Sequence, residues 1–553
     1  MKVVTVSQMQ HIESKSDAAG HSYAAMMEQA GRSVAQFIAA RHSVQDKQVL
    51  VLVGPGNNGG DGLVAARYLS ETGARVTCYM FRERDPAVDE NFRSVLQGPA
   101  RAVLAEEDED WARLKALTTD ADILIDALLG TGTSLPLRGA VAEMLGVVGR
   151  VVAARRRPRA AALTPVGSVS GQTARKLEPL VVAVDGPTGM AYDSGALDEV
   201  AVPADLTVTF AYPKTGHFRF PGAGAVGELV VADIGTDPRL ADEVRLEVAT
   251  PTMVGGWLPE RPADAHKGTF GKAMLVAGSV NYVGAAYLSG AAATRSGAGL
   301  VTVALPGAIH SAVAAQLAEA TYILLPEAMG VVSRDAADVL RQELEGYDAL
   351  LVGPGLGCEE PTVSFLDRLL GGGKDHHAVG FQHSAGSAAV QSVLPPLVID
   401  ADGLNILAAL EDWPGRLPAD SILTPHPGEM ARLMGSTVLQ VQEDRVSTAE
   451  ACAARWGQVV VLKGAHTVVS GPDGRTVIEP FANPGLATAG SGDVLAGAIV
   501  ALRAQGLGPF EAAAAGAYLH GCAGQLARQN IGAPGMVAGD VLAYLPEAFR
   551  RVT

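Results

Sequence analysis

Short apolar runs that stop at a glycine, an aspartate or a lysine recur along the whole chain, and they constrain its fold more than any other feature. Val49–Val53 runs into Gly54-Pro55-Gly56, Ile123–Ile125 into Asp126, and Leu180–Val184 into Asp185-Gly186. The second half repeats the habit: Met274–Ala277 ends at Gly278, Ala349–Val352 at Gly353, Leu397–Ile399 at Asp400 and Val459–Leu462 at Lys463. Unbroken apolar runs of this length read as strands buried on both faces, as in parallel sheets. Ala-rich helical stretches separate them, so the expected class is α/β. Ligands of such sheets sit beyond the carboxyl ends of the strands, and nearly all the polar motifs of this chain lie there.

At 553 residues the chain is too long for one ordinary core. A stretch rich in charge and proline between residues 240 and 260 marks the expected boundary and gives domains 1–240 and 250–553. Two irregular stretches, about 150–178 with Arg155-Arg156-Arg157-Pro158-Arg159 and about 371–389, read as solvated surface insertions. The formal net charge of -16 argues against a nucleic-acid partner. No apolar run reaches the ~20 residues of a membrane span; the longest lies around Val494–Leu502. The first residues lack the apolar core of a signal peptide. Cys78, Cys358, Cys452 and Cys522 are far apart and show no C-x-x-C spacing. Reduced thiols in a cytoplasmic protein are therefore expected, without a zinc site. A homo-oligomer is also expected, because Met26, Met27, Ala30, Val34 and Ile38 form an apolar helical stripe, although such stripes more often face a core.

Three strand ends in the first half carry small, polar loops. Gly54-Pro55-Gly56-Asn57-Asn58-Gly59-Gly60-Asp61-Gly62 follows a strand and precedes a helix expected from Leu63. Its glycines let the backbone adopt positive φ and approach a ligand closely, and N–H groups at the helix start suit a phosphate. It is neither a G-x-G-x-x-G nor a Walker A loop. Asp126-Ala127-Leu128-Leu129-Gly130-Thr131-Gly132-Thr133-Ser134-Leu135-Pro136 offers donors for a second oxyanion, with Asp126 suited to a cation or a substrate hydroxyl. Asp185-Gly186-Pro187-Thr188-Gly189 follows the same logic. Two strand-end aspartates beside a phosphate loop read as parts of one site.

These three segments resemble the NAD(P)H-hydrate epimerase family, which has a Rossmann-like three-layer fold. The resemblance implies that Asn57, Asn58, Gly59, Gly60 and Asp61, together with Gly130, Thr131, Gly132, Thr133, Ser134, Leu135 and Pro136, contact a hydrated dinucleotide. It further implies potassium near Asn58, Asp126 and Thr188, and substrate contact by Asp185. Inverting a carbon that bears a hydroxyl requires a proton donor and an acceptor. Asp185 is the first candidate for that role and Asp126 the second.

The strongest motif of the second half is Asn483-Pro484-Gly485-Leu486-Ala487-Thr488-Ala489-Gly490-Ser491-Gly492-Asp493, followed by an apolar helix. Gly490, Ser491 and Gly492 expose successive N–H groups at a helix start, an anion hole helped by the helix dipole. Asp493 lies beside it, placed to take a proton from a hydroxyl. Lys463-Gly464-Ala465-His466-Thr467 follows a strand, and its lysine and threonine suit nucleotide phosphates. In Thr424-Pro425-His426-Pro427-Gly428-Glu429, two prolines hold His426 toward the cleft, and Glu429 either holds magnesium through water or starts the next helix.

With His266–Gly271, Arg295–Gly299, Gly353–Gly357 and Asp400–Asn405, these motifs resemble the ribokinase-like superfamily and, within it, the ADP-dependent NAD(P)H-hydrate dehydratases. The resemblance implies nucleotide contacts at Lys463 to Thr467 and Gly492, and hydrate contacts at Ala285, Gly355, His426 and Asp493. The expected protein is thus a Rossmann-like domain followed by a ribokinase-like α/β domain. It would epimerise (R)- and (S)-NAD(P)HX and dehydrate the (S) form, with ADP as co-substrate and potassium and magnesium as cofactors. The competing reading is a ribokinase-like small-molecule kinase with an N-terminal nucleotide-binding module.

Overall fold

The computed structural model describes residues 1–156, 179–371 and 394–553. They form two compact units: Lys2–Val244, and Arg245–Thr553 together with Met1. The parts of both expected insertions at 157–178 and 372–389 lie outside the described residues.

In the first unit the apolar runs become a seven-stranded sheet: β1 (Gln48–Val53), β2 (Arg75–Met80), β3 (Arg101–Leu104), β4 (Ile123–Ala127), β5 (Leu180–Val184), β6 (Leu206–Phe210) and β7 (Glu228–Ala232). Its order is β3-β2-β1-β4-β5-β6-β7, and every pairing is parallel. The order reverses between β1 and β4, which opens a crevice at their carboxyl ends. Helices α1 (Val6–Ala18), α2 (Tyr23–Arg41), α3 (Asn57–Glu71), α4 (Glu90–Gln97), α5 (Ala112–Asp120) and α6 (Ala140–Arg156) accompany the sheet, and buried cores lie on both of its faces.

Two expectations for this unit change. Residues 150–156 are not irregular but end α6. Arg155 there donates to the Ala121 carbonyl, and Arg156 pairs with Asp205. Both arginines are thereby spent inside the unit. Four residues of the α2 stripe, Met26, Ala30, Val34 and Ile38, are buried in the core, and the half-buried Met27 packs against Gly60 and Asn91. The stripe therefore offers no face to a second copy, and the argument for a homo-oligomer built on it lapses.

The second unit contains β8 (Leu246–Val248), β9 (Lys272–Val276), β10 (Leu300–Pro306), β11 (Thr321–Leu325), β12 (Glu327–Ala328), β13 (Val331–Val332), β14 (Ala349–Val352), β15 (Leu397–Ile399), β16 (Ile422–Leu423), β17 (Val459–Leu462), β18 (Val468–Ser470) and β19 (Thr476–Ile478). Ten of them form one sheet in the order β11-β10-β9-β14-β15-β16-β17-β18-β19-β8, and β12 pairs with β13. The sheet is parallel from β11 to β17 and turns antiparallel at β18. The apolar run Val494–Leu502 is buried within the helix Ser491–Ala504. No described helix is long and apolar enough to cross a membrane. All four cysteines are free.

Candidate functional sites

At the β1/β4 crevice the first unit opens a cavity of about 720 Å³. Asn57, Asn58, Asp61, Gly130, Thr131, Gly132, Thr133, Ser134, Pro136 and Asp185 all line it. Gly59, Gly60 and Leu135 do not. The expected loop is in fact the first turn of α3, which begins at Asn57. None of Gly54, Gly56, Gly59, Gly60 and Gly62 has positive φ. At all of them but Gly56, space is too short for a Cβ. A Cβ on Gly54 would overlap the Leu128 carbonyl, one on Gly59 the Gly54 carbonyl, and one on Gly62 would come within 2.5 Å of Ala127. The early helix start leaves first-turn N–H groups without intrahelical acceptors, and Asn57 and Asn58 of that turn line the cavity, a cradle for phosphate.

Arg84 fixes this turn from behind. Its Nη2 donates to the carbonyls of Gly54 at 2.8 Å and Gly56 at 2.6 Å, and it pairs with Asp89, the N-cap of α4. With those carbonyls held, the loop cannot roll its N–H groups away from the ligand.

Asp185 sits at the end of β5 with φ of 64°. Thr209 Oγ1 donates to its Oδ1 at 2.7 Å, and Lys214 pairs with the same oxygen. Lys214 is 1 % exposed. Burial pushes the Asp185 carboxyl up, but the charge of Lys214 and the hydrogen bonds outweigh it and hold the group below the usual carboxylate range. His217 Nδ1 accepts from the Lys214 N–H, so its Nε2 donates to the Asp185 carbonyl. Burial keeps that imidazole neutral, with its pKa down at about 4.

Asp126 does not line the cavity. Its carboxylate accepts from Thr188 Oγ1 at 2.6 Å, Thr188 N at 2.8 Å and Leu128 N at 3.3 Å. As a proton-transfer group toward a ligand it is badly placed; as an anionic anchor it is well held. Asn58 packs close to Gly130, which follows Asp126 in the same loop, and its buried amide nitrogen has no partner among the described residues. Turned over, that amide presents an oxygen. With Asp126 and Thr188 the donors are then all oxygen with one carboxylate, a set suited to a hard cation.

In the second unit Asp400, His426, Glu429, Lys463 and Asp493 come together at the ends of β15, β16 and β17 and at the start of the helix Ser491–Ala504. Lys463 Nζ donates to Asp400 Oδ1 at 2.6 Å and lies 3.8 Å from Glu429. Thr424 Oγ1 donates to the same Asp400 oxygen at 2.7 Å. Glu429 closes a capping box with His426, whose Nδ1 accepts from Gly428 N and Glu429 N. Of the two readings of Glu429, its role at the helix start is therefore the one this geometry displays. Burial raises its pKa to about 7, with Lys463 opposing and Asp400 adding.

Gly490 is the N-cap of its helix with φ of 86°. Ser491 N is turned to the Thr488 carbonyl at 3.4 Å, so Gly490 and Gly492 are the better anion donors of the three. A Cβ on Gly492 would stand 3.6 Å from Lys463 Nζ, which puts the hole beside the buried ammonium. Burial raises the Asp493 carboxyl to about 7; Asp400 adds to the rise and Lys463 opposes it. Gly464 and Thr467 hydrogen-bond each other, and His466 turns back to the Glu479 carbonyl. Gly355, with φ of 61°, is packed against Ala285, where a Cβ would come within 2.7 Å of the Ala285 side chain.

Lys214, Thr209, Glu13, Arg84 and the anchoring role of Asp400 escape the sequence reading. Lys214 follows β6 as the other motifs follow their strands, and that position was the available signal. Thr209 lies inside β6 and Glu13 on α1, where nothing local marks them.

Two family models match the chain: "YjeF-related protein N-terminus" over residues 23–216 and "NAD(P)H-hydrate dehydratase" over residues 273–547. The chain is 38 % identical to the bifunctional NAD(P)H-hydrate repair enzyme Nnr of Moorella thermoacetica, over 95 % of this chain and 92 % of that protein. It is 37 % identical to the protein of the same name from Thermofilum pendens, over 100 % of this chain and 96 % of the other. Among solved structures, the ADP/ATP-dependent NAD(P)H-hydrate dehydratase from Bacillus subtilis, co-crystallized with ATP/Mg2+, matches with 32 % identity. That match covers 56 % of this chain and 99 % of the other, at a TM-score of 0.46.

Proposed function

The chain belongs to the bifunctional NAD(P)H-hydrate repair enzymes, and from that premise we propose how its residues divide the work. The protein is an enzyme of metabolite repair: it interconverts the epimers of hydrated NAD(P)H and dehydrates one of them back to NAD(P)H. The kinase alternative is not favoured, because the full-length relatives bear the repair name.

One observation carries the site assignment: the first unit's cavity of about 720 Å³ is lined by all three strand-end segments at once. That is the size of a small-ligand pocket. The N–H groups of Asn57 and Asn58 take the pyrophosphate, and the loop from Gly130 to Pro136 flanks it. The hydrated ring then lies toward Asp185, Lys214 and Asp61. Asn58, Asp126 and Thr188 would hold potassium, which would supply positive charge beside the bound phosphates. Asp126 thereby serves as anchor, and the proton chemistry falls to the carboxyls that line the cavity.

In the second unit Asp493 takes the proton from the hydrate hydroxyl as that oxygen attacks the terminal phosphoryl of ADP, and the bond to the bridging oxygen breaks to release AMP. Gly490 and Gly492 N–H groups and Lys463 stabilise the charge that gathers on the transferred group. Loss of phosphate with a ring proton then leaves NAD(P)H. Lys463 to Thr467 line the nucleotide side, and Ala285, Gly355 and His426 the hydrate side. Besides capping its helix, Glu429 would hold magnesium through water, and the ion would supply positive charge beside the phosphates. The four free cysteines suit the cytoplasm.

The test mixes the full chain with both epimers of hydrated NADH, with ADP, with ATP or with neither, and follows dihydronicotinamide absorbance. Nucleotide-dependent recovery of both epimers, with one phosphate released per NADH, is expected. Recovery of the (S) share alone removes the epimerase assignment, and a stable phosphorylated product removes the dehydratase.

A further inference from the structure

We propose that Asp61, the fifth residue of α3, is the general acid of the epimerase unit, working opposite the carboxylate of Asp185 in the same cavity; this rests on the epimerase reading of that unit. Both side chains line the cavity, one from a helix start and the other from the end of β5. Their surroundings differ in kind. Asp185 is bound by Lys214 and Thr209. Asp61 is 9 % exposed, and among the described residues its carboxyl takes part in no hydrogen bond or ion pair. A carboxylate buried without a donor is costly, and the cheaper state keeps its proton. The charged and titratable groups that face it are Asp185, Glu13 on α1, and Lys214 after β6. Burial raises Asp61 well above the usual carboxyl range, Asp185 and Glu13 add to the rise, and Lys214 opposes it. Lys214 is already paired with Asp185, so the surroundings favour the proton on Asp61 and the anion on Asp185, the arrangement that separates an acid from a base.

The hydroxyl of the hydrate is on the ring carbon next to the ring nitrogen. Asp61 gives its proton to that oxygen. The C–O bond breaks, its electron pair leaves with water, and the nitrogen lone pair closes a cationic C=N bond. Water then adds to the opposite face of the carbon, forming the new C–O bond and giving a proton to Asp185. One proton has left Asp61 and one has reached Asp185, and exchange through solvent resets the pair. No electron is gained or lost overall.

The experiment measures conversion of purified (R)-hydrate to (S)-hydrate by chromatography, in the full chain, from acid to alkaline pH. In the unmodified protein the rate should fall as pH rises through the raised Asp61 pKa, because the acid is then lost. Asp61→Asn should lower kcat about 100-fold or more, the scale of general acid catalysis, with KM within a few-fold and the alkaline fall gone. Asp61→Glu should recover part of the rate and restore an alkaline fall. Dehydration of (S)-hydrate with ADP, read on the same samples, should be unchanged, which reads the second unit, while the retained KM and the recovery in Asp61→Glu show that the first unit is folded. A kcat for Asp61→Asn close to that of the unmodified protein overturns the proposal, as does a loss confined to KM. An unmodified protein that dehydrates but does not epimerise removes the epimerase reading itself.

Discussion

Asp493 shows how much one residue's surroundings decide. In water its carboxyl would be an anion at neutral pH and a poor base. Burial, with Asp400 adding and Lys463 opposing, lifts it to about 7, where a base is strong enough to matter and still half ionised. Because the active form is deprotonated, dehydratase turnover should rise with pH through about 7 and level off above it. Asp493→Asn should remove that limb and lower turnover by about 100-fold or more, while epimerisation by the same sample persists. Glu479 teaches the converse. It is buried, and among the described residues neither carboxyl oxygen has a partner. Burial raises its pKa well above the usual value. A raised carboxyl stabilises the fold where it is protonated in both states and loses that contribution as pH climbs. Glu479→Leu should therefore stabilise the protein by about 1–3 kcal/mol near neutral pH, the cost of a buried unpaired polar group, and by less in mild acid. Thermal unfolding at two pH values reads the difference; equal shifts at both would show that the carboxyl carries no such penalty.

At the level of elements, the first turn of α3 explains what was and was not legible. The strands were readable because a run buried on both faces has no room for a polar residue, and Val49–Val53 or Leu180–Val184 can hardly be anything else. The start of α3 was not, because glycine in a helix interior costs about 1 kcal/mol relative to alanine, so Asn57–Gly62 looks like loop. Close packing against Gly54, Met27 and Ala127 overrides that preference. The same packing explains why the glycines were recognised as functional but for the wrong conformational reason. Lys214, though central to the site, could not be placed against Asp185 until β5 and β6 were known to pair. Arg84 belongs to this scale too, since it acts on the turn and touches no expected ligand. Its removal leaves two carbonyls and Asp89 without their cation. Arg84→Ala should raise the KM for the hydrate about tenfold, near the 1.5 kcal/mol of one charge-assisted hydrogen bond, with a smaller effect on kcat. A change in kcat alone would mean that the turn orients the ring and not the phosphates.

On the scale of the whole molecule, two α/β units with unrelated strand orders carry two chemistries that make sense only in sequence. A dehydratase built on one chiral cleft accepts one epimer of the hydrate. The epimerase unit turns the remaining epimer into usable substrate, so the full chain should consume a mixture to completion in a single phase when epimerisation is fast. Asp185 is where this division can be tested. Asp185→Asn removes the anion that Lys214 faces and leaves a buried ammonium without its partner, a loss of about 3–5 kcal/mol within the first unit. The second unit has its own sheet and core. With a mixture of epimers and ADP, the variant should recover NADH from the (S) share at the unmodified rate and then slow to the pace of spontaneous epimerisation. Adding the unmodified protein should restart the recovery. If Asp185→Asn instead slows the first phase as well, the two activities are coupled through the chain and the assignment of one chemistry to each unit fails.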